Sequence, residues 1–195
     1  MHGLINRAVQ CFVRDTYGQE RWLSVTRASG LDFTDFEAML HYDDALTEQV
    51  VQAIAKAIGV PREAVLEDIG TYLVTHPNVE ALRRLLRFSG VTFLEFLHSL
   101  DDLPERARLA VEDLDLPTFE LHEHGNNRFS LHCSHPHIGF GFVMMGVLRT
   151  MADDYGALVL LNYEIDTKSV EIIEITVVET AFSEGRRFEL GGRVG

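Results

Sequence analysis

Potential metal-ligating side chains are concentrated in residues 122–137. They are His122, His124, His132, Cys133, His135 and His137. Side chains two positions apart on a β-strand share a face, so His122 and His124 would lie together, as would His132 and Ser134. Imidazole and thiolate groups are ligands that Zn2+ accepts. Because no close cysteine pair or His-Glu-x-x-His helix accompanies them, we interpret the segment as a solvated His-rich hairpin, with a metal site as the alternative.

Carboxylates cluster at two places, Asp101-Asp102 and Glu112-Asp113-Leu114-Asp115. Paired carboxylates can perform acid–base chemistry, but both clusters fall where helices are expected to end, which predicts solvated helix termini. The sequence contains no Ser-His-Asp order, phosphate-binding loop or other catalytic motif. We therefore predict that the chain is not an enzyme.

Composition restricts the classes of partner. The chain has 195 residues, 46% of them hydrophobic, which suits one domain with a substantial core. Its net charge of −13 argues against nucleic acid and against anionic membranes. Cys11 and Cys133 lie far apart, as is typical of a reducing compartment, and no secretory signal pattern opens the chain. These features predict a soluble cytoplasmic protein.

The elements that would position these side chains begin with helices. The apolar spacing predicts them over about residues 4–13, 46–58, 61–73, 78–86, 92–100 and 103–112, with shorter amphipathic pieces near Trp22 and Phe36. Gly59 should end the second helix and Asn78 should cap the fourth. Thr92 and Glu95 have the spacing of a capping box, and Pro104 should fall in the first turn of the next helix.

The periodicity changes after Pro117. Alternating residues around 119–122 and 129–134, separated by Gly125-Asn126-Asn127, predict a β-hairpin. A helix over about 142–155 and two more strands at 157–164 and 170–179 follow. Helices first and a mainly antiparallel four-stranded sheet last indicate an α+β fold. We expect a single domain over 1–183, with a helical subdomain at about 1–60, an α/β subdomain at about 61–183, and a flexible tail at 184–195.

Several short motifs are arranged in a familiar order. They are Met1-His2-Gly3-Leu4-Ile5-Asn6, Tyr17-Gly18, Tyr42-Asp43-Asp44, Gly59-Val60-Pro61, Ser99-Leu100-Asp101-Asp102-Leu103-Pro104 and Pro117-Thr118-Phe119. Together they resemble the haem nitric oxide/oxygen-binding (H-NOX) family, which includes the sensor domain of soluble guanylate cyclase and bacterial gas sensors. The resemblance covers residues 1 to 180 and implies the H-NOX fold, a haem cofactor and a role in signalling.

Two departures from the family pattern concern the cofactor. The family's Asn-Leu-Asp-x-Leu-His, whose histidine binds haem iron, corresponds to residues 99–104, so Pro104 stands at the ligand position. The family's Tyr-x-Ser-x-Arg, which holds the haem propionates, corresponds to His132-Cys133-Ser134-His135-Pro136, where only Ser134 agrees. Proline offers no lone pair to iron, and Pro136 offers no bidentate donor to a carboxylate. Histidine-ligated haem is therefore not expected.

The resemblance implies where the pocket lies. By analogy, its residues are Ile5, Val9, Leu73, Leu100, Pro104, Pro117, His132, Ser134, Val143 and Val147. The distal group, Ile5, Val9, Leu73, Val143 and Val147, is wholly apolar, which suits an apolar small molecule. The resemblance also implies a signalling partner in trans, a histidine kinase or a cyclic-nucleotide enzyme. Haem with another iron ligand and a ligand-free interaction module are the alternatives.

Overall fold

The computed structural model of the chain describes residues 1–88, 90–183 and 185, with backbone alone at 80–82. The predicted tail at 184–195 lies outside the described residues, apart from Gly185. The helices are α1 (Gly3–Tyr17), α2 (Gln19–Ala28), α3 (Asp44–Ile58), α4 (Arg62–Thr75), α5 (Glu80–Arg87), α6 (Phe93–His98), α7 (Leu103–Ala110) and α8 (Phe140–Tyr155). The strands are β1 (Thr118–Gly125), β2 (Arg128–Ser134), β3 (Leu158–Ile165) and β4 (Glu171–Glu179).

The four strands form one antiparallel sheet in the order β1-β2-β4-β3. The β1–β2 turn uses Asn126 and Asn127 at φ 53° and 56°, a left-handed conformation that asparagine tolerates better than most residues. The predictions of an α+β fold and of a mainly antiparallel four-stranded sheet are confirmed. Among the described residues, no helix has both the length and the apolar character needed to cross a bilayer.

Local signals fix several helix boundaries. Thr92 and Glu95 form the predicted capping box, with reciprocal bonds of 3.2 and 3.3 Å between side chain and backbone. Gly59 ends α3 in the left-handed conformation, at φ 77°. Pro104 occupies the first turn of α7, where an N–H is not needed.

Two local predictions were wrong. Asn78 does not cap α5: it lies in a short 3-10 turn, Pro77–Val79, and donates from Nδ2 to Asp15 at 3.0 Å instead. The piece near Phe36 is irregular, although the Phe36 ring is fully buried against Trp22 and Tyr42. In both cases a contact with a distant helix or ring outweighs the local sequence preference.

Two apolar clusters form the core. One is built mainly from α1 to α4 and the other from α5 to α8 together with the sheet. Helices α4 and α8 join them, because their backbones lie very close. A Cβ atom at Gly70 would overlap the Val143 carbonyl, and one at Gly146 would overlap the Glu67 carbonyl. These two glycines therefore set the distance between the helices that wall the cavity described next.

Candidate functional site

A cavity of about 690 Å3 lies between the two clusters. Its lining comes from helices α1, α3, α4, α5, α7 and α8, from β1, from the loop at 136–139 and from the irregular residues 111–117, which we call the strap. This volume falls within the range of about 300–1,000 Å3 typical of small-molecule sites. The apolar wall from α4 and α8 consists of Leu66, Ile69, Leu73, Val143, Met144 and Val147.

Six of the sequence-predicted pocket residues line this cavity, namely Ile5, Val9, Leu73, Pro117, Val143 and Val147. The other four lie elsewhere. Leu100 is fully buried in the core, and Pro104 is buried in α7 outside the lining. His132 lies on the outer face of the sheet, since its neighbours Leu131 and Cys133 face the core, and Ser134 is exposed.

Helix α7 presents aliphatic side chains to the cavity. Leu103 and Ala107, one turn apart, line it. Neither of these two side chains has an atom that can coordinate a metal. Pro104 lies about 100° around the helix from Leu103, and its side chain has no lone pair.

Charged groups at the mouth of the cavity are paired with one another. Arg62 grips Glu48 with two bonds, Nε to Oε1 at 2.8 Å and Nη2 to Oε2 at 2.9 Å, and also donates to the Ile138 carbonyl at 2.9 Å. His137 Nε2 lies 2.7 Å from Asp44 Oδ2. The remaining polar side chain of the lining, Thr47, donates to Asn6 at 2.7 Å. Every polar side chain that lines the cavity is thus already bonded to protein.

The acid–base properties at the mouth reflect this pairing. Burial acts to raise the pKa of Glu48, but hydrogen bonds from Arg62 and Gln52 outweigh it and leave that pKa below its usual value. The Glu48 hydrogen bond in turn raises the pKa of Arg62. A hydrogen bond from the chain's terminal amine, followed by the field of the same amine and of His137, lowers the pKa of Asp44. The mouth therefore carries internally compensated charge at neutral pH.

The histidine-rich hairpin is not brought together as one metal site. His122 and His132 lie with ring centroids 4.4 Å apart on the outer face, and His124 contacts Ser130 at 2.8 Å. Cys133 points into the core, where burial raises the pKa of its thiol and keeps it unreactive. His135 and His137 lie beyond the strand, near the strap and the cavity mouth. The alternation of strand faces and the turn after Ser134 separate these side chains.

A different set of possible ligands lies at the start of α1. His2, His41 and Asp113 are the one group of three ligand atoms lying close together among the described residues. However, His2 Nδ1 accepts a hydrogen bond from the Leu4 amide at 3.1 Å, so the neutral ring carries its proton on Nε2, the atom that faces Asp113. A metal-binding histidine has the opposite arrangement, with a free pair toward the metal and a proton on the other nitrogen. The geometry favours a histidine–aspartate contact over a metal site.

Sequence reasoning missed several residues of the site. Arg62 and Glu48 lie fourteen residues apart in sequence, on α4 and α3, and no motif indicates that they pair. The acidic side chains of the run 112–115 are exposed, as predicted, but α7 ends at Ala110 and the run belongs to the strap. The available signal was the alternation of Asp113, Leu114, Asp115 and Leu116, which is typical of an extended segment with one apolar face.

Comparison with known families and sequences gives a consistent result. A family model described as Haem-NO-binding matches residues 2–162. Soluble guanylate cyclase gcy-35 of Caenorhabditis elegans is 27% identical over 155 residues, covering 78% of this chain and 22% of that protein. Soluble guanylate cyclase gcy-31 of the same organism is 25% identical over 154 residues, with 79% and 22% covered. The chain thus spans about a fifth of the length of these relatives.

Solved structures share the fold. An H-NOX protein from S. oneidensis in the Fe(II) ligation state, a triple mutant, superposes with a TM-score of 0.78 at 17% identity, covering 92% of this chain and 97% of that one. The Fe(II) unliganded H-NOX protein from K. algicida gives a TM-score of 0.77 at 17% identity, with 97% and 100% covered.

Proposed function

The chain belongs to the haem-NO-binding (H-NOX) family, and from that premise we propose that it is a sensor or regulatory domain whose cavity binds an uncharged apolar small molecule in place of haem. The observation that carries the proposal is the cavity itself. Its lining is predominantly aliphatic, and its charged side chains are bonded to one another.

The paired charges select against a charged guest. A buried charge is costly unless the protein supplies a partner, and the candidates for such a partner are already engaged. Arg62 is held by Glu48 in a two-bond grip, and His137 by Asp44. An uncharged apolar molecule leaves these pairs intact and gains about 25 cal/mol for each Å2 of apolar surface removed from water.

The residues present do not fit haem on the iron side of the cavity. Helix α7 offers Leu103 and Ala107, which have no donor atom. The one lining imidazole, His137, is bound to Asp44 at the mouth. Met144 offers a thioether from α8, a group that serves haem iron as the companion of a histidine.

The propionate side fits no better. Ser134 is exposed, His132 lies on the far face of the sheet, and Pro136 lines the cavity without a donor. The carboxylates of Asp44 and Glu48 lie at the mouth instead. Arg62 is already paired with Glu48 and is not available to a porphyrin propionate.

The proposed output is contact with a signalling protein in trans, a histidine kinase or a cyclic-nucleotide enzyme, without catalysis by this domain. Support comes from family membership and from relatives that are soluble guanylate cyclases. The same reasoning suggests a cytoplasmic location.

The absorption spectrum and iron content of freshly purified protein test the haem-independent function. We expect no Soret band and no stoichiometric iron, and native mass spectrometry after mild purification should show an apolar adduct. Titration with the neutral fluorophore N-phenyl-1-naphthylamine should be saturable at one site per chain. A Soret band with one iron per chain would restore haem sensing with another ligand, and a clean mass without probe binding would favour a ligand-free interaction module.

A further inference from the structure

The strap, residues 111–117, closes one side of the cavity without regular secondary structure. It connects the end of α7 to the start of β1. Leu114, Leu116 and Pro117 line the cavity, whereas Asp113 and Asp115, which alternate with the two leucines, are exposed. The strap thus has an apolar inner face and an acidic outer face.

Each strap aspartate faces a buried histidine. His2 Nε2 lies 3.3 Å from Asp113 Oδ1, and His135 Nε2 lies 3.4 Å from Asp115 Oδ2. The two histidine side chains are 0% and 4% exposed, and they come from two separate parts of the fold, the start of α1 and the loop between β2 and α8. The strap is therefore held at two points by two separate elements.

The two histidines share one local geometry that fixes their role. In each, Nδ1 accepts a backbone N–H from two residues further along, Leu4 for His2 and His137 for His135, both at 3.1 Å. An acceptor at Nδ1 leaves the proton of the neutral ring on Nε2. In both rings the protonated nitrogen is consequently Nε2, the atom that lies nearest the strap carboxylate.

These contacts are long. Neither Nε2 atom makes a bond of standard hydrogen-bond geometry, and both are buried. The carboxylates they face are solvated, and contacts with solvated carboxylates contribute little in water. Within the strap, Leu114 N bonds to Val111 O at 3.2 Å. The strap can therefore move away from the cavity with the loss of few hydrogen bonds.

We propose that the strap is a gate to the cavity, held closed by His2 through Asp113 and by His135 through Asp115, and that the apolar ligand enters and leaves when it lifts. His41, whose Nε2 lies 3.8 Å from Asp113 Oδ2, adds a third and weaker contact on the same side as His2. The gate rests on the proposed function, because it regulates access to the proposed ligand site.

The test removes both carboxylates from the strap. In the Asp113→Ala/Asp115→Ala variant, stopped-flow measurements with N-phenyl-1-naphthylamine should show uptake and release both about tenfold faster, so that the dissociation constant changes much less than either rate. The matched control is Glu105→Ala/Glu112→Ala, which removes the same charge from α7 and the strap at exposed positions. Its rates should equal those of the wild type.

A second readout does not depend on a ligand. Hydrogen exchange of the strap amides in the full chain should be about tenfold faster in the double-alanine variant than in the control. If the probe fails to bind the wild type, the proposed function fails, and the exchange measurement still decides whether the strap is held by these contacts. Unchanged exchange, or unchanged probe rates in a protein that binds the probe, would overturn the gate.

A second, more conservative double variant controls for misfolding. Asp113→Asn/Asp115→Asn keeps the side-chain shape and an acceptor oxygen but removes the charge. Its rates and strap exchange should lie between those of the wild type and the double-alanine variant, with an unchanged circular dichroism spectrum. Wild-type values for both quantities in the folded asparagine and alanine variants would count against the gate.

Discussion

Filling the cavity from α8 should stabilise the protein, which is the reverse of the usual effect of enlarging an interior side chain. Val143→Phe adds four side-chain carbons at a position that faces the cavity. At about 0.8 kcal/mol per buried methylene, full burial would contribute roughly 3 kcal/mol. Side-chain ordering and incomplete burial reduce this, and we expect about 1.5 kcal/mol net. In a filled core the same change would cost about 1–3 kcal/mol.

Thermal and chemical unfolding of the ligand-free protein measure whether Val143→Phe raises or lowers the free energy of unfolding. A gain of about 1.5 kcal/mol corresponds to a rise in Tm of roughly 3–6 °C for a chain of this length. The new ring should also weaken binding of N-phenyl-1-naphthylamine at least about tenfold, because it occupies the ligand's space.

The matched control is Val65→Phe on the same helix pair. Val65 is 0% exposed and lies outside the cavity lining, so its enlargement should lower Tm. Destabilisation by Val143→Phe equal to that by Val65→Phe, with probe affinity unchanged, would refute the reasoning, since the space facing Val143 would then already be filled by protein.

Three further predictions follow from single contacts. Gly146→Ala should destabilise the fold by about 1–3 kcal/mol in urea unfolding, because the new Cβ overlaps the Glu67 carbonyl, and an unchanged midpoint would contradict the close approach of α4 and α8. Glu48→Gln should lower the free energy of unfolding by at most about 1 kcal/mol at neutral pH, since the carboxylate is partly solvated. The pKa of Glu48 in the folded protein lies below its value in the unfolded chain. The stability advantage of the wild type is therefore present above about pH 4.3 and should disappear as pH falls through the lowered folded pKa. Pro104→His alone should not produce a Soret band on haem addition. Position 104 lies outside the cavity lining, and Arg62 at the mouth is already paired with Glu48 and so is not available to the propionates. Binding of one haem per chain by that variant would show that neither feature prevents haem binding.

Elements that depend on neighbouring residues were predictable from the sequence. The Thr92–Glu95 capping box, the Gly59 helix end and the Asn126-Asn127 turn each depend on bonds or backbone angles within a few residues. The apolar lining residues of α1 and α8 were likewise predictable, because the family resemblance aligned these positions with the family's pocket.

Features that depend on distant residues were not predictable. Asn78 has the composition of a cap, but Asp15, which is 63 residues away in sequence, takes its amide. The Arg62–Glu48 pair and the contacts of the strap similarly join elements that only the folded chain brings together. In each case two or more alternatives satisfy the local preference, and tertiary contacts decide between them.

The size of the cavity connects the ligand proposal with the gate. At about 24 cal/mol per Å3, a sealed and empty space of 690 Å3 would cost about 17 kcal/mol, more than the total stability of about 5–15 kcal/mol that a typical domain has. A folded chain with this cavity therefore needs an occupant, solvent access or both. An apolar lining makes water a poor occupant, which favours an apolar guest. A guest enclosed between α7, α8 and the strap needs a way in, and the strap is the part of that wall without regular secondary structure, held by two long contacts.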